Sequence, residues 1–407
     1  MRPGQHTGRF SVWIPGWVWR GQAGRIGFPP SLMSHATPEF TVASGSILYV
    51  HMAALGDAIM ASAALRILKQ GLPQMQVAVL ARAHACDYFR TLPYVDEVIP
   101  FVADRHVSRS RPWKMLGAAP ELATLLIRLK REQFAAAIQW RGQLQDTLLS
   151  WVTGARHRVA AVQSIHRRAF LPVERVSFLV TDLVTVTAAD AHMVEAMAAP
   201  AEFLVKKLGG TPPIDRNLAL DFPLSVADRS LADAFLAHAG IGAEEPLACL
   251  SIGARSTFND WRPERFAAVA DALAVRHGMR VILNGMPQHA EREAAIARQM
   301  VAKPICSVGR LPFGALCAVL ARSRLLVALN TGIVHVAAAL RVPVVVLNGR
   351  DGASLSPWGT EMRIVTRNPY YPRRHPDSRQ WAGLVDLIPV TEVLAAIDDI
   401  LGKAHAS

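Results

Sequence analysis

The sequence predicts two doubly wound parallel α/β units that face one cleft. Three observations predict it. Short, almost wholly apolar runs recur along the chain, as at Ser46–His51, Leu247–Ile252 and Pro343–Leu347, and such runs suit strands buried on both faces of a parallel sheet. Segments of helical period separate them, and parallel strands need a crossover of that kind. The alternation breaks once, over 211–225 (TPPIDRNLALDFPLS), where three prolines interrupt both periods before the pattern restarts.

Each element follows in order. Residues 1–43 carry Arg2, Arg9, Arg20 and Arg25 against one acid, Glu39, with Trp13, Trp17 and Trp19 set among glycines and prolines. They lack the continuous apolar core and small-residue cleavage site of a signal peptide. They read as a poorly ordered extension or as sequence upstream of a start at Met33, and the Trp/Arg mixture suits a membrane surface. Strand Ser46–His51 opens regular structure. After the turn Met52–Gly56, Asp57 starts a helix with Ile59, Leu65, Ile67 and Leu68 at roughly helical spacing, ending at Gly71. A strand at Gln76–Leu80, a helix at 119–131, a strand at Ala135–Trp140, a helix at 143–153, a strand near Arg158–Val162 and a helix at 190–208 complete the first unit. Past the linker, helices at 225–239, 263–277, 288–300, 313–322 and 332–340 alternate with strands at Leu247–Ile252, Met279–Asn284, Arg324–Leu329 and Pro343–Leu347. A Pro/Arg-rich loop is expected over 351–386 and a closing helix over 391–402. The predicted organisation is an extension 1–43, a Rossmann-like unit 44–210, a linker 211–225, a second Rossmann-like unit 226–390, and a closing helix and tail 391–407.

Composition narrows the class. At 407 residues and 51% hydrophobic, the chain can bury a large core. The formal net charge of +12 favours anionic partners, but no basic run is interleaved with aromatics as in a nucleic-acid module. Cys86, Cys249, Cys306 and Cys317 form no CxxC pair and have no histidine at ligand spacing, which argues for a reducing, cytoplasmic setting without a zinc site. No run reaches the ~18–20 apolar residues of a bilayer-spanning helix.

Four strand-to-helix junctions carry candidate chemistry. Gly56 permits a tight turn; Asp57 reads either as a helix cap or as a carboxylate at a cleft edge that takes a proton from a hydroxyl. The loop from Gly253 through Arg255, Ser256, Trp261 and Arg262 to Pro263 joins glycine, hydroxyls and guanidinium groups as an anion site would, though it lacks the GxxxxGK[ST] pattern; an ordinary polar loop fits too. In Asn330-Thr331-Gly332-Ile333-Val334-His335, Thr331 and Gly332 can offer N–H groups at a helix N-terminus. His335, one turn on, faces either the same ligand or the core. After the strand at 279–284, Glu291 reads as a ribose contact or as an exposed helix-face charge.

Together and in order, these pieces resemble glycosyltransferase family 9, the ADP-heptose:lipopolysaccharide heptosyltransferases and their relatives. The resemblance runs from about residue 46 to about 360. It is carried by ILYVHMAALGDAIMASAALRILKQGLPQMQVAVLA, LPYVDEVIPF, FAAAIQWRGQLQDTLLSWVTGARHRVA and HMVEAMAAPAEFLVKKLG in the first half. SIGARSTFNDWRPERFAAVADAL, LNGMPQHAERE and LNTGIVHVAAALRVPVVVLNG carry it in the second. The last closely matches the family's DTGxxHxAAAL. The resemblance implies a GT-B fold and an inverting, metal-independent transfer without a cofactor, with ADP-heptose as the co-substrate. It implies Asp57 as general base beside the acceptor-side turn at Gly56. It assigns Gly253, Arg255, Ser256, Arg262, Asn330, Thr331, Gly332 and His335 to the donor's sugar and diphosphate, and Glu291 to its ribose. The acceptor it implies is lipopolysaccharide core or a related lipid-linked glycan, reached from the cytoplasm with peripheral contact at an anionic membrane face. The chain departs from the pattern in two places. Asn330 stands where the family has an acid, and Asn259-Asp260 stand where a lysine commonly precedes Trp-Pro, with Arg262 between Trp261 and Pro263. A nucleotide-sugar-binding protein without turnover, and another GT-B-like enzyme such as a nucleotide-sugar epimerase, remain open at this stage.

Overall fold

The structure is a computed structural model that describes residues 45–101, 119–162, 177–186, 192–254, 260–349, 352–373 and 383–404. All of these belong to one compact unit. The predicted extension 1–43 lies outside the described residues.

The first sheet holds β1 (Ser46–His51), β2 (Gln76–Arg82), β3 (Glu97–Phe101), β4 (Ala136–Gln139), β5 (His157–Val162) and β6 (Asp182–Thr185). All its pairings are parallel, in the order β3-β2-β1-β4-β5-β6. Its helices are α1 (Leu55–Gly71), α2 (Ala83–Thr91), α3 (Ala119–Arg131), α4 (Leu144–Val152) and α5 (Met193–Lys207). The second sheet holds β7 (Leu247–Ser251), β8 (Arg280–Asn284), β9 (Ile305–Cys306), β10 (Leu325–Leu329), β11 (Val344–Asn348) and β12 (Met362–Thr366), again all parallel, in the order β12-β11-β10-β7-β8-β9. With it go α6 (Val226–His238), α7 (Pro263–His277), α8 (Ala290–Ala297), α9 (Phe313–Ala321), α10 (Gly332–Ala339) and α11 (Val390–Ala404). Counted within its own half, each sheet has the order 3-2-1-4-5-6, the doubly wound arrangement.

Local sequence explains the main elements. The five residues of β7, β10 and β11 are all buried, as apolar strands covered on both faces must be. Pro263 starts α7, where a missing N–H costs nothing, and Gly278 ends it with φ +62°. Ser225 caps α6: its Oγ accepts the Asp228 N–H at 3.0 Å while Asp228 accepts the Ser225 N–H at 3.1 Å.

The structure adds elements that the sequence reading lacked: α2 and the strands β3, β6, β9 and β12. The stretch expected as loop over 351–386 contains β12. The helix expected at 288–300 is shorter, a 3₁₀ turn at Pro287–His289 followed by α8. The closing helix packs Val393, Ile397, Ile400 and Leu401 into the same apolar cluster as α7 and β8.

The linker is tied down. Asp221 pairs with Arg66 of α1, accepts the Tyr94 hydroxyl at 2.7 Å, takes the Tyr88 hydroxyl on its carbonyl at 2.6 Å, and donates its N–H to Ser62 Oγ at 3.1 Å. Phe222 stacks on Tyr88 of α2 and meets Phe313 of α9 edge-on. One apolar cluster therefore continues from α1 and α5 through Leu218, Leu220, Phe222 and Leu224 into α6, α9 and α10.

Candidate functional site

In a doubly wound sheet, ligands bind beyond the carboxyl ends of the strands where the winding reverses. Here those points lie between β1 and β4 in one half and between β7 and β10 in the other. α1 starts from the first point and α10 from the second, and their N-termini meet. A Cβ built on Gly56 would lie 2.7 Å from His335 Cδ2 and 3.3 Å from Gly332 Cα. Two helix ends, each carrying partial positive charge, thus open on the same space.

Asp57 sits at the third position of α1, partly buried. Its Oδ2 accepts the Ala54 N–H at 3.1 Å, so the capping role read from the sequence is real and coexists with a place at the cleft. Burial raises its pKa above the usual carboxylate value, and the Ala54 N–H, Arg141 and His84 pull it back down. His335 is 6% exposed, and its Nδ1 has no hydrogen-bond partner among the described residues. Burial, with His192 close by, lowers its pKa to about 4. His335 therefore presents a neutral imidazole near pH 7, able to hydrogen-bond and not to supply charge.

Thr331 precedes α10 with extended backbone, and its hydroxyl does not cap the helix. Gly332 is the first helical residue. Asn330 closes β10: its N–H donates to the Leu347 carbonyl at 3.1 Å and its side-chain amide to Asn348 Oδ1 at 3.3 Å. A neutral amide pair thus occupies the strand ends where an acid would place negative charge.

Gly253 follows β7, and its lack of a side chain has a specific cause. A Cβ there would fall 2.3 Å from the His289 ring, which also lies over Gly285. His289 is held by its Nδ1, which accepts the Met286 N–H at 3.1 Å. Arg255 and Ser256 lie outside the described residues. Arg262 is exposed, with its Nε on Asp386 at 2.9 Å, so its guanidinium is engaged with the C-terminal turn. Trp261 anchors the end of this loop: it is wholly buried and donates Nε1–H to the Ile388 carbonyl at 2.9 Å. Glu291 is exposed on the first turn of α8; the buried acid of that helix is Glu293, which accepts the Val308 N–H at 2.9 Å.

The sequence reading passed over the surroundings of Asp57. Arg141, just past β4, donates to the Met52 carbonyl at 2.8 Å. His84, on the first turn of α2, lies 3.2 Å from the Ala53 carbonyl. Asp146 on α4 is 1% exposed. The register Val50↔Gln139 brings residues 52 and 141 side by side beyond the strand ends, a pairing that spacing along the chain cannot reveal. Among the described residues no group of His, Cys, Asp and Glu has the arrangement of a metal site, and no helix is long and apolar enough to cross a membrane.

Two six-stranded doubly wound sheets with apposed switch points define a GT-B-type architecture. The profile of Glycosyltransferase family 9 (heptosyltransferase) matches residues 123–380, more than half of the chain, and the chain belongs to that family. It is 29% identical over 171 residues to "Lipopolysaccharide heptosyltransferase 3" of Escherichia coli, covering 41% of this chain and 49% of that protein. The chain thus spans about half the length of this curated relative. Two solved structures are similar in fold. The family 9 glycosyl transferase of Veillonella parvula DSM 2008 has TM-score 0.69 at 21% identity, covering 88% of this chain and 98% of that one. E. coli ADP-heptose lps heptosyltransferase II has TM-score 0.64 at 20% identity, covering 88% and 99%.

Proposed function

We propose that the chain is an inverting glycosyltransferase that moves heptose from ADP-heptose to lipopolysaccharide core or a related lipid-linked bacterial glycan. The observation that carries this reading is the contact between Gly56 and the Gly332–His335 turn, which sets Asp57 and the N-terminus of α10 on one cleft. Asp57 takes the acceptor hydroxyl proton as the acceptor oxygen bonds to the anomeric carbon. The bond from that carbon to the diphosphate oxygen breaks, and ADP leaves with the electron pair. The N-terminus of α10, through the N–H groups around Thr331 and Gly332, stabilises the charge developing on the diphosphate. His335 adds a neutral hydrogen bond, Gly253 keeps the neighbouring loop close to the ligand, and no metal is required. The family and the likeness in fold to E. coli ADP-heptose lps heptosyltransferase II support ADP-heptose as the donor. The net charge of +12 suits an anionic acceptor presented at the cytoplasmic membrane face.

The test is nucleotide release from a panel of nucleotide sugars, with and without lipid A–core acceptor. Acceptor-dependent ADP release that disappears in Asp57→Asn, with donor binding kept, is the expected result. Donor binding without turnover on any acceptor would overturn the transfer reading in favour of a binding protein, and product from donor alone would favour an epimerase.

A further inference from the structure

His192 ties the two halves together beside the cleft. It stands at the start of α5 in the first half and is 9% exposed. Its Nε2 lies 2.9 Å from the Ser356 carbonyl, in the connection between β11 and β12 of the second half. Its ring packs on Trp358 of the same connection, with centroids 4.5 Å apart and planes tilted by 35°. Leu355 and Trp358 there pack on the apolar cluster that α1, α5 and α10 share.

Both ring nitrogens are committed. Nδ1 accepts the Val194 N–H at 3.2 Å and so caps α5, which leaves Nδ1 without a proton. A carbonyl only accepts, so Nε2 carries the proton and donates to Ser356. The neutral Nε2–H imidazole is the form that satisfies both partners. A second proton, on Nδ1, would face the Val194 N–H and place positive charge at a helix N-terminus. Burial lowers the His192 pKa below the ordinary histidine value, outweighing the Ser356 carbonyl and the Glu195 carboxylate, which favour the charged form. The other titratable groups on the elements around it are Asp57 in the first turn of α1 and His335 on α10, and residues 352–360 carry none.

The packing sets the place of this contact. α1 and α5 each follow a strand of one parallel sheet, so both start at the carboxyl ends of its strands. They pack side by side, and a Cβ on Gly71, the last residue of α1, would press on Val205 near the end of α5. α5 therefore begins beside the first turn of α1, which carries Asp57. In the second half, the register Leu329↔Leu347 sets the ends of β10 and β11 together, so the connection that holds Ser356 leaves beside Asn330, Thr331 and the start of α10. The connection is stiff at the contact, because the Ser356 N–H and hydroxyl both donate to the Ala353 carbonyl, at 3.0 and 2.7 Å.

We propose that His192 is a positioning residue for the transfer: its neutral imidazole pins the β11–β12 connection of the second half to the start of α5 in the first, and so fixes the spacing across the cleft between Asp57 and the N-terminus of α10. This rests on the reading of the chain as a transferase. Because the folded state favours the neutral ring, the pin is whole above about pH 6.5 and lets go as pH falls through the lowered His192 value.

The experiment is amide hydrogen exchange of the full chain between pH 8 and pH 5, with intrinsic rates divided out, following residues 352–360 and the first turn of α5. Beside it, kcat and KM are measured from acceptor-dependent nucleotide release. His192→Asn keeps a cap for Val194, since asparagine is a favoured N-cap, but is too short to reach Ser356. In this variant exchange of 352–360 rises about fivefold while α5 stays protected, as loss of one hydrogen bond predicts. Its kcat/KM falls on the order of tenfold, mainly in kcat, because the reacting groups are less well held. His192→Gln, whose amide extends toward Ser356 and does not titrate, recovers most of kcat/KM. In wild type 352–360 loosens below about pH 6.5, and in both variants this pH step is gone. Wild-type protection of 352–360 in His192→Asn overturns the proposal, and so does a loosened connection with kcat/KM unchanged. If His192→Asn does not fold, the wild-type pH step decides, and its absence overturns the proposal. If the exchange behaves as stated and no acceptor supports turnover, the pin stands and the transferase reading fails.

Discussion

A single methyl group on Gly56 tests whether the two helix ends form one working cleft. The Cβ of Gly56→Ala would lie 2.7 Å from His335 Cδ2, 3.3 Å from Gly332 Cα and 3.5 Å from His335 Nε2. Carbon atoms in contact prefer about 3.5–4.0 Å, so roughly 0.8–1.3 Å must open up. His335 is 6% exposed and cannot swing aside, and the other neighbour is backbone. The N-termini of α1 and α10 must therefore move apart by about an ångström. Overpacking of this kind costs about 1–3 kcal/mol. Alanine in place of a helical glycine recovers about 0.5–1 kcal/mol. The fold should survive with a modest drop in Tm. Catalysis should not, because a displacement of about 1 Å between reacting groups costs on the order of a hundredfold. The assay is kcat/KM from acceptor-dependent nucleotide release, beside thermal unfolding. The control is Gly332→Ala, whose Cβ meets Gly56 only at 3.5 and 3.9 Å, so it should fold with wild-type stability and lose activity only through the ligand. Near-wild-type kcat/KM in Gly56→Ala would refute the reasoning, since the helix ends could then separate without consequence.

Two further predictions concern the second half. Gly253→Ala drives its Cβ into the His289 ring, so it should weaken nucleotide binding by calorimetry, and Gly253→Ala/His289→Ala should recover part of the loss; no recovery would remove His289 as the cause. Trp261→Ala empties a wholly buried site and removes one of the two hydrogen bonds on the Ile388 carbonyl, Arg265 keeping the other, so urea unfolding should show a loss of about 3–5 kcal/mol. Trp261→Phe should cost distinctly less, and equal losses would mean that the lost volume is not what matters.

Much of the fold was legible because the central strands are buried on both faces. Runs such as LACLS and VVVLN are unmixed apolar sequence, and β1, β2, β4, β5, β7, β8, β10 and β11 were all read within a few residues. The four strands that were not read, β3, β6, β9 and β12, are the four edges of the two sheets. An edge strand has a neighbour on one side only and needs less apolar sequence. β3 carries Pro100, β6 alternates between partly buried and exposed, β9 is two residues long, and β12 lies in Pro/Arg-rich sequence with only Val365 fully buried. The same limit governs the site. Asp57, Thr331, Gly332 and His335 stand at strand-to-helix junctions, which local pattern finds. Arg141 and His84 act on Asp57 from past the end of β4 and from α2, through packing that no local signal encodes.

The sequence by itself determined the alternation, the two central sets of strands and the strand-to-helix junctions, because burial on two faces and helix-start chemistry act over a few residues. Only the tertiary structure decided that α1 and α10 meet end to end, that Arg262 is engaged by Asp386, and that His289 is the reason for Gly253. Those outcomes depend on how the two sheets pack together and on which strand ends lie side by side, and such contacts join residues as far apart in the chain as Gly56 and His335, 279 positions.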